Sequence, residues 1–143
     1  MLERSIHRRG LDEAITLTGF VPSDRLPLFY QGADFFILPT LELEGFGLVT
    51  IESMACGTPV LGTPVGGTPE ILSGFKRDFI FADSFPEAMA DGIQSGIEKY
   101  FFNDKEYELL RQNCRSYVEK KYSWRNHSAN LFSIIENSTM CED

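Results

Sequence analysis

The sequence of 143 residues has few cysteines, no long apolar run and no surplus of basic residues. Its three cysteines, Cys56, Cys114 and Cys141, form no closely spaced pair and have no histidine pair nearby, which predicts reduced thiols and no metal site. No apolar run approaches the roughly 18 residues of a membrane-spanning helix, and the first ten residues lack the apolar segment of a secretory signal. We therefore expect a cytoplasmic protein.

The balance of charge excludes one class of partner. Thirteen lysines and arginines face 21 aspartates and glutamates, giving a formal net charge of -8. Nucleic acids and anionic membrane surfaces are bound through clustered lysine and arginine, so we expect neither as a direct partner. The hydrophobic content of 43% can form a core, and the length predicts one domain over residues 1–143.

Strand and helix patterns alternate along the chain. Apolar runs at residues 34–39 and 59–61 are typical of strands buried on both faces, as in parallel sheets. Weaker strand patterns occur at residues 15–20 and 78–81, and helical patterns fill the segments between and after the strands. This alternation predicts an α/β fold with a Rossmann-like parallel sheet and helices on both faces.

Three of the predicted helices begin with capping signals. Ser23 and Asp24 can each cap the helix that runs to residue 31. Thr68 is predicted as the N-cap of a later helix that has proline at its first position. Ser84 and Glu87 have the spacing of a capping box that opens a helix to about residue 100. Two further helices are predicted at about residues 104–122 and 123–137.

Ligands of such sheets bind beyond the carboxyl ends of the strands, which directs attention to the loops at residues 20–23, 40–47 and 62–68. In the second loop, two glycines flank Phe46 immediately before a helix. Glycine lets backbone approach a ligand, and the free N–H groups of a helix start hold phosphate. A plain strand-to-helix turn would use the same glycines, so both interpretations stay open.

Glu52 has an unusual position on the helix that follows this loop. On a helical wheel it lies between Leu48 and Val49, whereas Thr50 and Ser53 mark the polar face. An unpaired buried carboxylate is costly, so Glu52 should have a partner or open onto a cleft. A ribose diol suits it, because two hydroxyls can donate to its two oxygens. A glutamate at the rim of a solvated face, or one paired with an arginine, would give the same pattern.

A longer motif contains both features. Residues 44–60, EGFGLVTIESMACGTPV, followed by GGTPE at residues 66–70, resemble the C-terminal half of the GT-B fold in retaining glycosyltransferases of family 4, the group 1 glycosyltransferases. Two glutamates separated by seven residues are the signature of that family. The likeness extends to residues 19–22, 33–34 and 122–124.

The resemblance implies a role for each motif residue. Glu44 would contact the sugar of the donor near the reacting carbon, as the catalytic residue, and Glu52 would bind the ribose. The remaining donor-binding residues would be Gly45, Phe46, Gly47 and Leu48, which present backbone to sugar and diphosphate, and Phe20 with Val21, which line the base pocket. The implied donor is a UDP-, GDP- or ADP-linked sugar, the acceptor a glycan or lipid, and no metal or other cofactor is expected.

The chain departs from the family in two ways. The family's arginine and lysine that clamp the diphosphate have no counterpart before Ile15, and no acceptor-binding N-terminal domain is present. The resemblance therefore implies an N-terminally truncated domain whose partner is the missing acceptor domain. Any peripheral membrane association is expected to occur only through that missing domain. We expect weak donor binding and no sugar transfer by this chain alone. Two alternatives stay open: a non-catalytic nucleotide-binding or partner-docking module, and a GT-B nucleotide-sugar epimerase.

A few further residues stand outside the motif. His7 and His127 lack partners at motif spacing, and we predict surface or structural roles for them. Trp124 is predicted as a packing anchor for the last helices. Gly66 and Gly67 fit either the wall of a donor pocket or a capped turn.

Overall fold

The computed structural model describes residues 1–139. Its strands are β1 (Phe36–Leu38) and β2 (Val60–Gly62), and its helices are α1 (Leu2–Arg8), α2 (Leu26–Gly32), α3 (Leu48–Ala55), α4 (Thr68–Ser73), α5 (Pro86–Gly96), α6 (Asp104–Tyr122) and α7 (Trp124–Thr139). A 3-10 helical turn, Arg77–Phe79, follows α4, and a π-helical turn, Ile97–Phe101, extends α5.

The two strands are parallel, with Phe36 opposite Val60. A single further parallel bridge joins Gly62 to Ile80, so β2 lies between β1 and residue 80. All three residues of β2 are buried, whereas those of β1 are half-buried, because β1 has no second neighbouring strand within residues 1–139. The parallel pairing predicted for the two apolar runs is confirmed.

The core forms where α3 and α4 pack on β2 and α3 packs on α6. Its buried residues are Met54, Val60, Leu61, Ile71, Leu72, Phe79, Phe81, Tyr100, Leu110, Cys114 and Val118. Burial raises the pKa of the Cys114 thiol to about 12, so this side chain stays protonated and packs as a small apolar group. The core thereby fixes α3, the helix that carries Glu52, against the sheet.

The strand predicted at residues 15–20 is wrong. These residues form no ladder, and all of their side chains are exposed, including Ile15, Leu17 and Phe20. A strand is stabilised by a neighbouring strand and by burial of one face. Neither is present for this segment within the described chain, so its apolar and β-branched residues have no ladder to join.

The strand predicted at residues 78–81 is also wrong, apart from the bridge at Ile80. Arg77–Phe79 forms a 3-10 turn instead. The turn directs Phe79 into the core, where its ring lies 6.1 Å from that of Phe75 and 5.8 Å from that of Tyr100. Burial of this large ring outweighs the weak strand pattern of its neighbours.

The side-chain caps predicted for α2, α4 and α5 are not formed, and these helices begin without a side-chain cap. Gly67, not Thr68, is the N-cap of α4, and Thr68 is instead buried in the first turn. Arg25 and Phe85 are the N-caps of α2 and α5, and neither has a side-chain cap hydrogen bond. Before α2, the amides of residues 25 and 26 donate to the carbonyl of Pro22, and this turn replaces the cap predicted from Ser23 and Asp24. For α5, the capping box predicted from residues 84 and 87 is not formed.

The last two helices agree with prediction. Asn103 caps α6 by accepting from the amide of Glu106 at 3.3 Å. Ser123 precedes α7 and accepts from the amide of Asn126 at 3.3 Å. Neither α6 nor α7, nor any other helix in the described residues, is long and apolar enough to cross a membrane.

Candidate functional site

Residues 40–47 connect the carboxyl end of β1 to α3. Gly47 is the N-cap of α3 and adopts a left-handed φ of 84°. It is buried, and a Cβ at this position would lie 3.2 Å from Cδ1 of Ile71 and 3.3 Å from Oγ1 of Thr68. Both the dihedral angle and the space therefore favour glycine where α3 begins.

This loop docks on the turn that precedes α4, backbone against backbone. The N–H of Gly67 donates to the carbonyl of Gly45 at 2.9 Å. A Cβ on Gly66 would overlap the carbonyl of Glu44, and one on Gly67 would overlap the carbonyl of Phe46. The two glycines are therefore explained by this close contact, which holds the glycine-rich loop at a fixed distance from α4.

The start of α3 presents unpaired backbone donors. The N–H groups of residues 45–49 donate to no acceptor within residues 1–139, and no side chain caps the helix. The next two amides, of Thr50 and Ile51, donate to the carbonyl of Gly47 at 3.0 and 3.4 Å. Unpaired amides at a helix N-terminus carry a partial positive charge and favour an anion such as phosphate.

The buried face of α3 is the opposite of the predicted one. Thr50 and Ser53 are fully buried, whereas Leu48 and Glu52 are exposed. The hydroxyl of Ser53 is satisfied because it donates to the carbonyl of Thr58 at 3.1 Å. Small hydroxyl side chains let α3 pack closely, so the prediction of a solvated face at Thr50 and Ser53 is wrong. Glu52 consequently opens to the outside of the helix.

One protein group contacts the Glu52 carboxylate. The hydroxyl of Tyr30, which is 7% exposed, donates to Oε2 of Glu52 at 3.5 Å, the upper limit for such a bond. Burial, reinforced by the charge and hydrogen bond of Glu52, raises the pKa of Tyr30 to about 12, so the hydroxyl remains a donor. Oε1 of Glu52 has no partner within the described residues and is open to a ligand.

Glu44 is half-buried at the other end of the glycine-rich loop. The hydroxyl of Thr40 donates to Oε2 of Glu44 at 3.4 Å, and the hydroxyl of Thr63 donates to the carbonyl of Thr40 at 2.6 Å. The preceding Leu43 has a φ of 57°, a left-handed conformation that costs a leucine roughly 1–2 kcal/mol. Thr63, directly after β2, therefore anchors a strained loop that positions Glu44.

Replacement of Thr63 by valine tests this anchor. Thr63 is 1% exposed, and the substitution keeps its shape while leaving the carbonyl of Thr40 without its donor. We expect the free energy of unfolding to fall by about 1–2 kcal/mol, because the carbonyl of the half-buried Thr40 loses its donor. Denaturant unfolding measures the change, with Thr63→Ser as the matched variant that retains the hydroxyl. A larger loss for serine than for valine would show that packing of the methyl group, not the hydrogen bond, dominates.

A cavity of about 480 Å³ extends along the exposed face of α3. From α3 and its loop it is lined by Phe46, Leu48, Ile51 and Glu52. From the junction of α6 and α7 it is lined by Lys121, Tyr122, Trp124, His127 and Asn130. We call these five residues the junction wall. The cavity thus combines a carboxylate, a cation and an apolar, aromatic surface.

The structure places the predicted site residues in three groups. Phe46, Leu48 and Glu52 line the cavity, and the glycines beside Phe46 shape the loop at its end. Glu44 does not line this cavity, but its carbonyl contacts the turn before α4. Phe20 is 90% exposed and Val21 is half-buried, and neither lines the cavity. Their role in a base pocket stays a prediction.

The sequence does not predict a site role for the junction wall. Trp124 is 83% exposed, so its predicted role as a packing anchor within this chain is wrong. Its ring lies 5.8 Å from that of His127, at an interplanar angle of 86°. The only signal in the sequence was the motif likeness at residues 122–124, which indicated a helix start and gave no reason to place it beside Glu52.

Comparison with solved structures identifies the fold. The chain is similar to sucrose-phosphate synthase from Thermosynechococcus elongatus, with a TM-score of 0.77 and 25% identity over 99% of this chain and 34% of that one. It shares its fold with Anabaena Alr3699/HepE, solved in complex with UDP and glucose, with a TM-score of 0.74 and 19% identity over 95% of this chain and 35% of that one. The predicted α/β fold of a GT-B glycosyltransferase domain is confirmed.

The family follows from sequence similarity. The family model for glycosyl transferases group 1 matches residues 1–121, so this chain belongs to the group 1 glycosyltransferases. It is 31% identical over 136 residues to an uncharacterized glycosyltransferase of Methanocaldococcus jannaschii, an alignment that covers 93% of this chain and 34% of the relative. The chain therefore spans about a third of the length of these relatives.

Proposed function

We propose that this chain is the donor-binding part of a retaining glycosyltransferase and binds a nucleoside diphosphate sugar. The observation that carries the proposal is the row of unpaired amides at residues 45–49. The carboxylate of Glu44 precedes this row, and that of Glu52 follows it, one helical turn after the start of α3. Family membership and the UDP and glucose bound by the Anabaena protein support the same class of ligand.

Each part of such a ligand has a matching group. The diphosphate accepts from the free amides at residues 45–49, where the helix dipole contributes about half a positive charge. The ribose hydroxyls donate to Glu52, whose Oε1 has no protein partner in residues 1–139. The sugar hydroxyls donate to Glu44, which Thr40 orients.

The remaining elements of the function belong to the same proposal. Phe20 and Val21 line the pocket for the base, and Glu44 acts at the reacting carbon with retention of configuration and without a metal. The acceptor is bound by a part of the enzyme outside this third of its length. The isolated chain therefore binds the donor weakly and transfers no sugar, whereas an enzyme containing the acceptor site transfers it to a glycan or lipid.

A thermal-shift series tests ligand binding directly. A ligand that binds only the folded chain raises its melting temperature by mass action. The series contains UDP, GDP, ADP and their sugar derivatives. We expect the ligands with one of the three bases to raise the melting temperature more than those with the other two. If none of the nucleotides changes the melting temperature at millimolar concentration, the proposal is wrong for this chain.

Glu52→Ala tests the ribose assignment. Loss of charge-assisted bonds to the diol is expected to cost about 1.5–3 kcal/mol, which is roughly a 10- to 150-fold rise in the dissociation constant of the preferred nucleotide. Isothermal titration calorimetry measures it, and Glu13→Ala, an exposed change of equal charge far along the chain, is the control. An unchanged nucleotide affinity in Glu52→Ala would remove Glu52 from the ribose site.

A further inference from the structure

The α6–α7 junction is held firmly beside the proposed donor site. Asn126 spans the junction, because its amide donates to the hydroxyl of Ser123 and its side chain donates to the carbonyl of Lys120 at 2.6 Å. The ring of Tyr122 packs edge-on against that of Phe46, with centroids 6.2 Å apart and an interplanar angle of 75°. The junction wall therefore has a defined position relative to the glycine-rich loop.

Lys121 is the basic residue of this wall. Its ammonium lies over the rings of Tyr117 and Tyr122, at 5.5 and 5.4 Å from their centroids, and donates to the hydroxyl of Tyr117 at 3.3 Å. Within residues 1–139 it forms no ion pair with a carboxylate. It is also the one lysine or arginine among the described residues that line the cavity. The ammonium is therefore held in place and has no carboxylate partner among these residues.

The proposed ligand needs such a charge. A nucleoside diphosphate carries more than one negative charge, whereas the start of α3 supplies about half a positive charge. Lys121 lines the same cavity as Leu48, the first residue of α3, and Glu52. Phe46 and Leu48, whose amides are unpaired, also line this cavity, so a diphosphate bound to those two amides lies at the same cavity as Lys121.

We propose that the junction wall is the second side of the donor site, with Lys121 binding the diphosphate and His127 and Asn130 donating hydrogen bonds to the nucleotide. This inference rests on the proposed function, because it takes the nucleoside diphosphate as the ligand at α3. The exposed ring of Trp124 forms the apolar rim of the same wall. The donor thus binds between the start of α3 and the α6–α7 junction, two segments about 70 residues apart in sequence.

The test compares nucleotides that differ only in phosphate. UDP, GDP, ADP and the corresponding nucleosides are titrated by calorimetry into the wild-type chain, Lys121→Gln and the control Lys120→Gln. The control removes the same charge from the neighbouring exposed position. We expect Lys121→Gln to weaken binding of the preferred nucleoside diphosphate about tenfold, the scale of one charge-assisted bond, and to leave its nucleoside unchanged. Lys121→Arg should restore most of the diphosphate affinity.

Two further variants test the hydrogen-bonding part of the wall. His127→Ala and Asn130→Ala are each expected to weaken the nucleoside diphosphate severalfold, with melting temperatures of the unliganded chains unchanged, because both side chains are exposed. Equal affinities for Lys121→Gln and Lys120→Gln would overturn the inference, while a loss in Glu52→Ala would leave the proposed function intact. If the wild-type chain binds none of UDP, GDP and ADP, both proposals fail.

Discussion

Replacement of Gly66 by alanine is expected to lower the free energy of unfolding by about 2–5 kcal/mol. Gly66 has a φ of 60°, in which an L-residue is strained by roughly 1–2 kcal/mol. The new Cβ would also overlap the backbone of Glu44, and backbone cannot rotate away as a side chain can. Forced overpacking of this kind adds about 1–3 kcal/mol.

Chemical denaturation of Gly66→Ala measures this loss, and Gly32→Ala is the matched control. Gly32 ends α2, and a Cβ there would meet no atom within 4 Å. The control should lie within about 1 kcal/mol of wild type, since it only reduces the freedom of the unfolded chain. A small loss in Gly66→Ala with nucleotide binding retained would show that the loop does not need its contact with the turn before α4.

Glu44→Gln is expected to reduce turnover by about 100-fold or more in an enzyme that contains this chain and its acceptor site. In the proposed mechanism the carboxylate lies beside the carbon at which positive charge develops, and loss of a group that stabilises transition-state charge typically costs about 10²–10³ in rate. Glutamine still accepts hydrogen bonds from sugar hydroxyls. The affinity for the donor should therefore fall less than tenfold, a split that only a role in the reaction produces.

Steady-state rates and donor dissociation constants of the same preparations measure the split. Glu42→Gln is the control, because it lies in the same loop, is exposed and carries the same charge. It should leave both quantities within about threefold of wild type. A loss of donor affinity with turnover unchanged at saturating donor would assign Glu44 to ground-state binding alone.

Local patterns were sufficient where a segment carries its own signal. The apolar runs that form β1 and β2, and the glycine that begins α3, were predictable because burial and backbone conformation are properties of the segment itself. The inverted face of α3 was not, since a helical wheel shows which residues share a face and does not show which face meets the sheet. Thr50 and Ser53 are buried because small side chains allow close packing there.

Longer-range features of the site cannot be predicted from sequence, for a different reason. The segment at residues 15–20 has strand composition, yet whether a strand forms depends on a neighbour that composition does not reveal. Lys121 and Glu52 line one cavity although they are about 70 residues apart, and no pattern in either segment refers to the other. Gly66 and Gly67 stand out in the sequence, but the contact with the loop at residues 44–46 that requires them exists only in three dimensions.

The docking of the glycine-rich loop on the turn before α4 has a mechanical consequence. Two backbones joined by the bond from Gly67 to Gly45, with no side chain between them, cannot slide past one another without breaking that bond. A motion of the site that keeps this bond therefore moves the loop and the turn before α4 together. Adaptation to a different sugar would then proceed by exchanging side chains around a frame whose backbone stays the same.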